Sequence, residues 1–335
     1  MTMLHGGRLR QVSEQFNIPL SEWLDLSTGI NPNGYPTPPV PADVWRRLPE
    51  EQDGLEKAAG RYYGATGLLP VAGSQAAIMA LPQCISGSRV TLLTPTFSEH
   101  PYAWRDRNIA CCDNCDAIEA RIDTTDILLL VNPNNPTGTL FPVEQLLQWH
   151  ARLSRRGGWL IVDEAFVDIE PEASLACYAG RPNLVVLRSV GKFFGLAGAR
   201  VGFVLGPKSL LHALSAYLGP WAVSGPSRSV VRKALEDDNW HRLTRTALQQ
   251  SSARLAKLLS RHGLTASGGT GLFQWVRTPH ARDIHTLFAR NAILIRLFDE
   301  PPSLRFGLPG NEEEWRRFAN TLAHVARRIP SELSK

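Results

Sequence analysis

Five short apolar runs constrain this chain most: Val90–Leu93, Ile127–Val131, Leu160–Val162, Leu184–Leu187 and Val201–Leu205. They are mostly rich in Val, Ile and Leu and do not alternate with polar residues, the pattern of strands covered on both faces. Helix-like stretches separate several of them, including Val143–Arg155. That alternation predicts a mostly parallel sheet in an α/β domain. The polar ends of the runs hold residues suited to chemistry: Asn132–Gly138, Asp163-Glu164 and Ser189–Lys192. Open α/β sheets bind ligands at the carboxyl ends of their strands, so pattern and chemistry point to one place.

After about residue 228 the texture changes. A long helical pattern over Ser229–His262 leads to Gly268-Gly269-Thr270-Gly271 and a strand-like Leu272–Val276. A short helix (Asp283–Asn291), the apolar Ile293–Leu297, the segment Ser303–Gly307 and a closing helix Glu312–Arg328 follow. This predicts a smaller α+β domain. Pro32–Pro41 reads as an irregular connection and the N-terminus as a short arm. The expected division is an arm over 1–30, a large domain over 31–228 and a small domain over 229–335.

Composition removes several function classes. The net charge of +5 is spread along the chain, and Arg316-Arg317 and Arg327-Arg328 lie on a helical pattern whose solvated face explains them. No motif supports nucleic-acid binding. No run approaches the roughly 20 apolar residues of a membrane helix, and the N-terminus lacks an apolar signal core, so a cytoplasmic protein with no membrane partner is expected. Cys112-x-x-Cys115 has metal-ligand spacing without a second Cys or His pair, so no metal is expected. Five cysteines, an odd number, argue against a disulfide framework.

Four elements carry chemistry. Lys192 follows a buried run and is flanked by Gly191 and apolar residues; desolvation makes its neutral amine accessible for imine formation. Ser189 and Arg200 bracket it and suit a phosphate dianion. Taken alone, Lys192 fits a surface loop equally well. Asp163 ends an apolar run, where an unpaired charge is costly; pairing with the pyridinium nitrogen of pyridoxal phosphate (PLP) explains it, and so does an arginine partner. Asn132–Gly138 is a stiff turn presenting the Asn135 amide, able to donate to the PLP phenolate oxygen. Gly73-Ser74-Gln75 opens a helical stretch, either as a phosphate cradle or as an ordinary N-cap.

In order, Gly73-Ser74-Gln75, Pro95-Thr96-Phe97, Asn134–Gly138, Asp163-Glu164-Ala165-Phe166 and Ser189-x-x-Lys192…Arg200 resemble the fold-type I PLP enzymes, class I/II aminotransferase branch. The resemblance spans essentially the whole chain. It implies an aspartate-aminotransferase-like fold, with a large domain built on a mostly parallel sheet and a smaller α+β C-terminal domain. It also implies that Lys192 holds PLP as a Schiff base, Asp163 binds the ring nitrogen, Asn135 the ring oxygen, and Phe97 stacks on the ring. Ser74, Gln75, Ser189 and Arg200 then hold the phosphate; Phe97 reads equally as core.

Within that superfamily the chain is similar to threonine-phosphate decarboxylase-like proteins of cobalamin biosynthesis, relatives of histidinol-phosphate aminotransferase. The residues carrying this are His5-Gly6-Gly7, Asp25–Pro32, Asp163–Phe166, Ile293–Arg296 and Leu304-Arg305-Phe306. The implied reaction is decarboxylation of L-threonine O-3-phosphate to (R)-1-amino-2-propanol O-2-phosphate. Arg305 is implied to take the α-carboxylate and Arg296 the phosphate, assisted by His5, with Asn31 on the substrate side. Surface ion pairs, a solvated His5 and a turn-forming Asn31 are the bland alternatives. Transamination uses the same residues, so the orientation of the bond to be broken decides between the two. An inactive binding or assembly homologue is the other rival.

Two departures stand out. Phe166 replaces a tyrosine common in the aminotransferases, and Arg47-Leu48-Pro49 lacks the tyrosine that often reaches a partner subunit's cofactor. A homodimer is implied by the resemblance alone.

Overall fold

The computed structural model describes residues 6–328. It separates into two compact units. One comprises the chain up to Asn33, Pro136–Gly138 and the chain from Thr244 onward; the other comprises Gly34–Asn135 and Thr139–Leu243.

The second unit is built on a seven-stranded sheet. Its strands in spatial order are Leu68–Val71, Gly202–Leu205, Leu184–Ser189, Trp159–Asp163, Ile127–Val131, Arg89–Leu93 and Asn108–Cys112. All neighbours run parallel except Gly202–Leu205, which is antiparallel to both of its partners. The five apolar runs are the five inner strands. Each is buried because helices cover the sheet: Ser74–Cys84 and Lys208–Leu218 share one apolar cluster with Val90, Leu92, Leu129, Ile161 and Val185. The helix Val143–Ser154 contributes Leu146, Trp149 and Leu153 to the core.

Both edge strands escaped the sequence pattern. Leu68–Val71 contains Pro70, which an edge strand tolerates because it need not donate to a neighbour on each side. Asn108–Cys112 is only partly buried, so it lacks an apolar signature.

The other unit contains a four-stranded antiparallel sheet in the order Arg296–Phe298, Ser303–Gly307, Phe273–Arg277, Gly268–Thr270. The arm is integrated into this unit. Leu24–Asp25 pairs in parallel with Ile293–Leu294, and Leu9, Val12, Phe16 and Ile18 pack on Trp23, Ala289 and Leu294. The expected single helix Ser229–His262 is two helices, Gly225–Glu236 and Asp238–Arg261. Asp237 leaves the helical region, and its carboxylate accepts from Trp240 N at 2.9 Å, so an N-cap interrupts the apolar period. The boundary between the units falls within the second helix, past the residue 228 expected from texture.

Candidate active site

Three of the inner strands end side by side, and the residues that follow them line one cleft. Trp159–Asp163 delivers Asp163, Leu184–Ser189 delivers Ser189, and the turn after Ile127–Val131 delivers Asn135. The cleft has a volume of about 180 Å³ and brings together Ser74, Gln75, Phe97, Asn135, Asp163, Ser189, Lys192 and Arg200. They come from several separate stretches of the sequence and lie within one unit.

The carboxylate of Asp163 is buried and doubly held. Its Oδ1 accepts from Ala165 N at 3.0 Å, and its Oδ2 lies 2.9 Å from His100 Nε2, which donates because a carboxylate only accepts. His100 is itself buried and edge-on to Phe97, with ring centroids 6.0 Å apart. The sequence reading missed His100. Its signal was the three-residue spacing from Phe97, whose carbonyl accepts from His100 N at 3.1 Å in the turn that opens the helix Glu99–Ala103. Glu99, also missed, accepts from Gln75 Nε2 at 2.6 Å, so the Gln75 side chain reaches toward a carboxylate.

The turn carrying Asn135 is pinned by its neighbours. Asn132 bonds Phe141 in both directions. Asn134 accepts from Thr96 Oγ1 at 3.1 Å and donates to Pro95 O at 2.9 Å. Asn135 and Phe97 are thereby fixed relative to each other, and two motifs distant in sequence form one wall.

Opposite, Gly73 (φ +74°) turns the chain into the helix Ser74–Cys84; a Cβ there would stand 2.7 Å from Arg200 Nη2. Arg200 also has positive φ, and its Nη1 donates to Ala197 O at 3.2 Å. Ser189 Oγ accepts from Gly191 N at 3.2 Å. A helix N-terminus, two hydroxyls and a guanidinium make an anion cradle. Lys192 Nζ lies 5.4 Å from the centroid of the Phe166 ring.

Arg296, Arg305 and Asn31 belong to the other unit, and His5 lies outside the described residues. Arg296 and Arg305 face each other in register on adjacent strands. Arg305 is buried and donates from Nη2 to Ser27 O at 2.7 Å. Burial, then the charge of Arg296, push Arg305 down to about 9, with Asp25 offsetting part. Like charges opposite one another on a sheet are unfavourable. Asn31 is buried, and its Oδ1 accepts from Asn33 N at 2.9 Å, so its carbonyl serves the turn. No group of His, Cys, Asp and Glu among the described residues could hold a metal ion.

The family model for aminotransferase class I and II matches residues 47–322. The chain belongs to this family. A threonine-phosphate decarboxylase of Pseudomonas aeruginosa is 53% identical over 314 residues, covering 93% of this chain and 95% of that protein. A protein of the same name from a Sinorhizobium species is 39% identical over 330 residues, covering 96% and 98%. Among solved structures, histidinol-phosphate aminotransferase of Sinorhizobium meliloti in complex with pyridoxal-5'-phosphate superposes with a TM-score of 0.82. It covers 98% of this chain and 96% of its own at 18% identity. That likeness shows the aspartate-aminotransferase-like fold of this family member.

Proposed function

We propose that this chain is a PLP-dependent lyase that decarboxylates L-threonine O-3-phosphate to (R)-1-amino-2-propanol O-2-phosphate, a step of cobalamin biosynthesis. The observation that carries the substrate class is the cross-strand pair of half-buried Arg296 and buried Arg305, two guanidiniums in one unit suited to a substrate with two anionic groups. The near full-length likeness to proteins named threonine-phosphate decarboxylase supports the reaction.

The cleft fits PLP. It offers one amine (Lys192), an acid held by two donors (Asp163), an amide (Asn135), an aromatic face (Phe97) and a phosphate cradle that a side chain at Gly73 would crowd. PLP supplies an electron sink for the pair released at the substrate α-carbon. Lys192 provides the amine that would hold the cofactor. Asp163, oriented by His100 and Ala165 N, keeps the ring nitrogen protonated. Ser74, Gln75, Ser189 and Arg200 hold the cofactor phosphate. On this reading Arg305 takes the substrate carboxylate and Arg296 its phosphate, with Asn31 and His5, the latter outside the described residues, as further substrate residues; the choice of which bond at the α-carbon is held ready to break would select loss of CO₂ over loss of the α-proton.

The same reading makes the protein a cytoplasmic homodimer. Among the described residues no helix is long and apolar enough to cross a membrane, and all five cysteines are free, as in a reducing compartment. Trp45, Leu48, Tyr217 and Trp221 are exposed on one unit and support burial against a second copy.

The test is incubation of the PLP-loaded protein with L-threonine O-3-phosphate. Stoichiometric CO₂ and amine without a keto acid are expected. Glutamate appearing only when the amino donor is paired with 2-oxoglutarate would replace the decarboxylase reading with a transaminase.

A further inference from the structure

The residues that follow Lys192 form a turn whose tip is buried. Gly195 N donates to Lys192 O at 3.2 Å and Leu196 N to Val190 O at 3.2 Å, so Phe193 and Phe194 occupy the middle of a tight turn. Turn tips ordinarily face water, because a buried loop carries polar backbone groups that are hard to satisfy. Here both rings are fully buried, while Lys192 lines the cleft. The two phenyl groups are therefore anchors, and what covers them fixes the backbone that carries the lysine.

Trp240 covers both. Its ring stacks on Phe194 at 14° and 5.6 Å and meets Phe193 edge-on at 5.3 Å. Offset-stacked and edge-to-face pairs are the arrangements in which aromatic quadrupoles attract. Trp240 N donates to Asp237 Oδ1 at 2.9 Å, so the cap that separates the two long helices also fixes the backbone from which the indole springs. Tyr35 meets the indole edge-on at 5.3 Å, and its N–H donates to Phe194 O at 2.8 Å. Gly34 permits that approach, since a Cβ there would stand 2.9 Å from the same carbonyl oxygen. His241 and Tyr62 each approach Phe194 at 5.5 Å. All of these residues lie in one unit.

We propose that Trp240 is a positioning residue for Lys192: its indole, braced by Tyr35, clamps Phe193 and Phe194 and thereby holds the lysine amine in the cleft. The proposal rests on Lys192 being the cofactor lysine and not on which reaction follows. Displacing a reacting group by about an ångström costs up to about a hundredfold in rate, so the clamp acts on kcat more than on KM.

The experiment compares PLP-loaded wild type, Trp240→Leu and Trp240→Phe. Phe288→Leu, whose ring packs on Phe306 and Phe318 in the other unit, controls for lost aromatic packing in general. Amide hydrogen exchange over residues 192–196, the pH midpoint of the cofactor absorbance and the kinetics with L-threonine O-3-phosphate are measured on each. In Trp240→Leu, exchange over 192–196 is expected to rise about tenfold and the midpoint to move. There kcat should fall about tenfold or more while KM stays within about threefold. Trp240→Phe, which keeps an aromatic face, recovers most of each change. Phe288→Leu is expected to leave exchange and midpoint at wild-type values even where its melting temperature falls as far. Wild-type exchange and midpoint in Trp240→Leu overturn the proposal, as does the same response in Phe288→Leu. If Trp240→Leu does not fold, Tyr35→Leu, at a half-buried ring, carries the test with changes in the same direction. Hydride reduction of the holoprotein, which locks the cofactor onto its lysine, checks the underlying reading separately. Cofactor on Lys192 with unchanged exchange removes only the role of Trp240; cofactor on another lysine removes both.

Discussion

Gly73 and His100 show how single residues shape the cleft. Gly73 adopts φ +74° and ψ 157°, a conformation essentially reserved for glycine, and any side chain there meets Arg200. Gly73→Ala is therefore expected to cost about 1–3 kcal/mol of backbone strain and to weaken PLP binding by displacing Arg200, read by thermal melts and by absorbance titration. His100 acts on Asp163 rather than on substrate. His100→Phe keeps the aromatic contact with Phe97 but removes the donor to Oδ2. We expect kcat to fall by at least about tenfold, in the range of lost outer-sphere partners, and the pH midpoint of the cofactor absorbance to move. An unmoved midpoint with reduced activity would mean His100 only packs.

At the scale of elements, the strand Trp159–Asp163 divides the labour of its motif by alternation. Asp163 turns toward the cleft and Glu164 toward the interior, where it accepts from Arg188 Nη1 at 2.8 Å and Leu175 N at 2.6 Å. Arg188 also binds Asp168 and lies 4.6 Å from the Tyr63 ring centroid. Burial alone would lower Arg188; Asp168 and Glu164 reverse that and hold it firmly charged. Arg188→Met leaves two buried carboxylates without their cation and is expected to cost about 3–5 kcal/mol, measured by urea denaturation. In the other unit, burial and then Arg296 and Arg282 lower His285 below the ordinary imidazole value, against a backbone contact at Ile295. The unfolded chain then binds a proton that the native chain does not in the window just below about pH 6.5. Stability should fall as pH drops through that window, and His285→Gln should flatten the slope in melts between about pH 5 and pH 7.

For the whole molecule, the exposed aromatics predict the association state. Trp45 and Trp221 are 68% and 59% exposed, and Val44, beside Trp45, packs against Gly225 of the helix that follows Trp221. Light scattering should give twice the chain mass, and Trp45→Glu with Trp221→Glu should give the monomer. A wild type that stays monomeric at assay concentration overturns the homodimer.

Much of this was legible from sequence because local rules govern it. The inner strands are written as unbroken apolar runs, since a strand covered on both faces admits little else. The residues that meet in the cleft were legible because most of them sit in compact motifs at a strand end or helix start. What escaped depends on partners distant in the chain. The edge strands Leu68–Val71 and Asn108–Cys112 are strands only because neighbours supply their hydrogen bonds. His100 matters only because folding brings it to Asp163, and the split at Asp237 follows from a side-chain cap that competes with the apolar period. Arg305 opposite Arg296 is of the same kind: a pair of like charges in register is invisible to periodicity, because it is fixed by strand pairing and not by spacing along the chain.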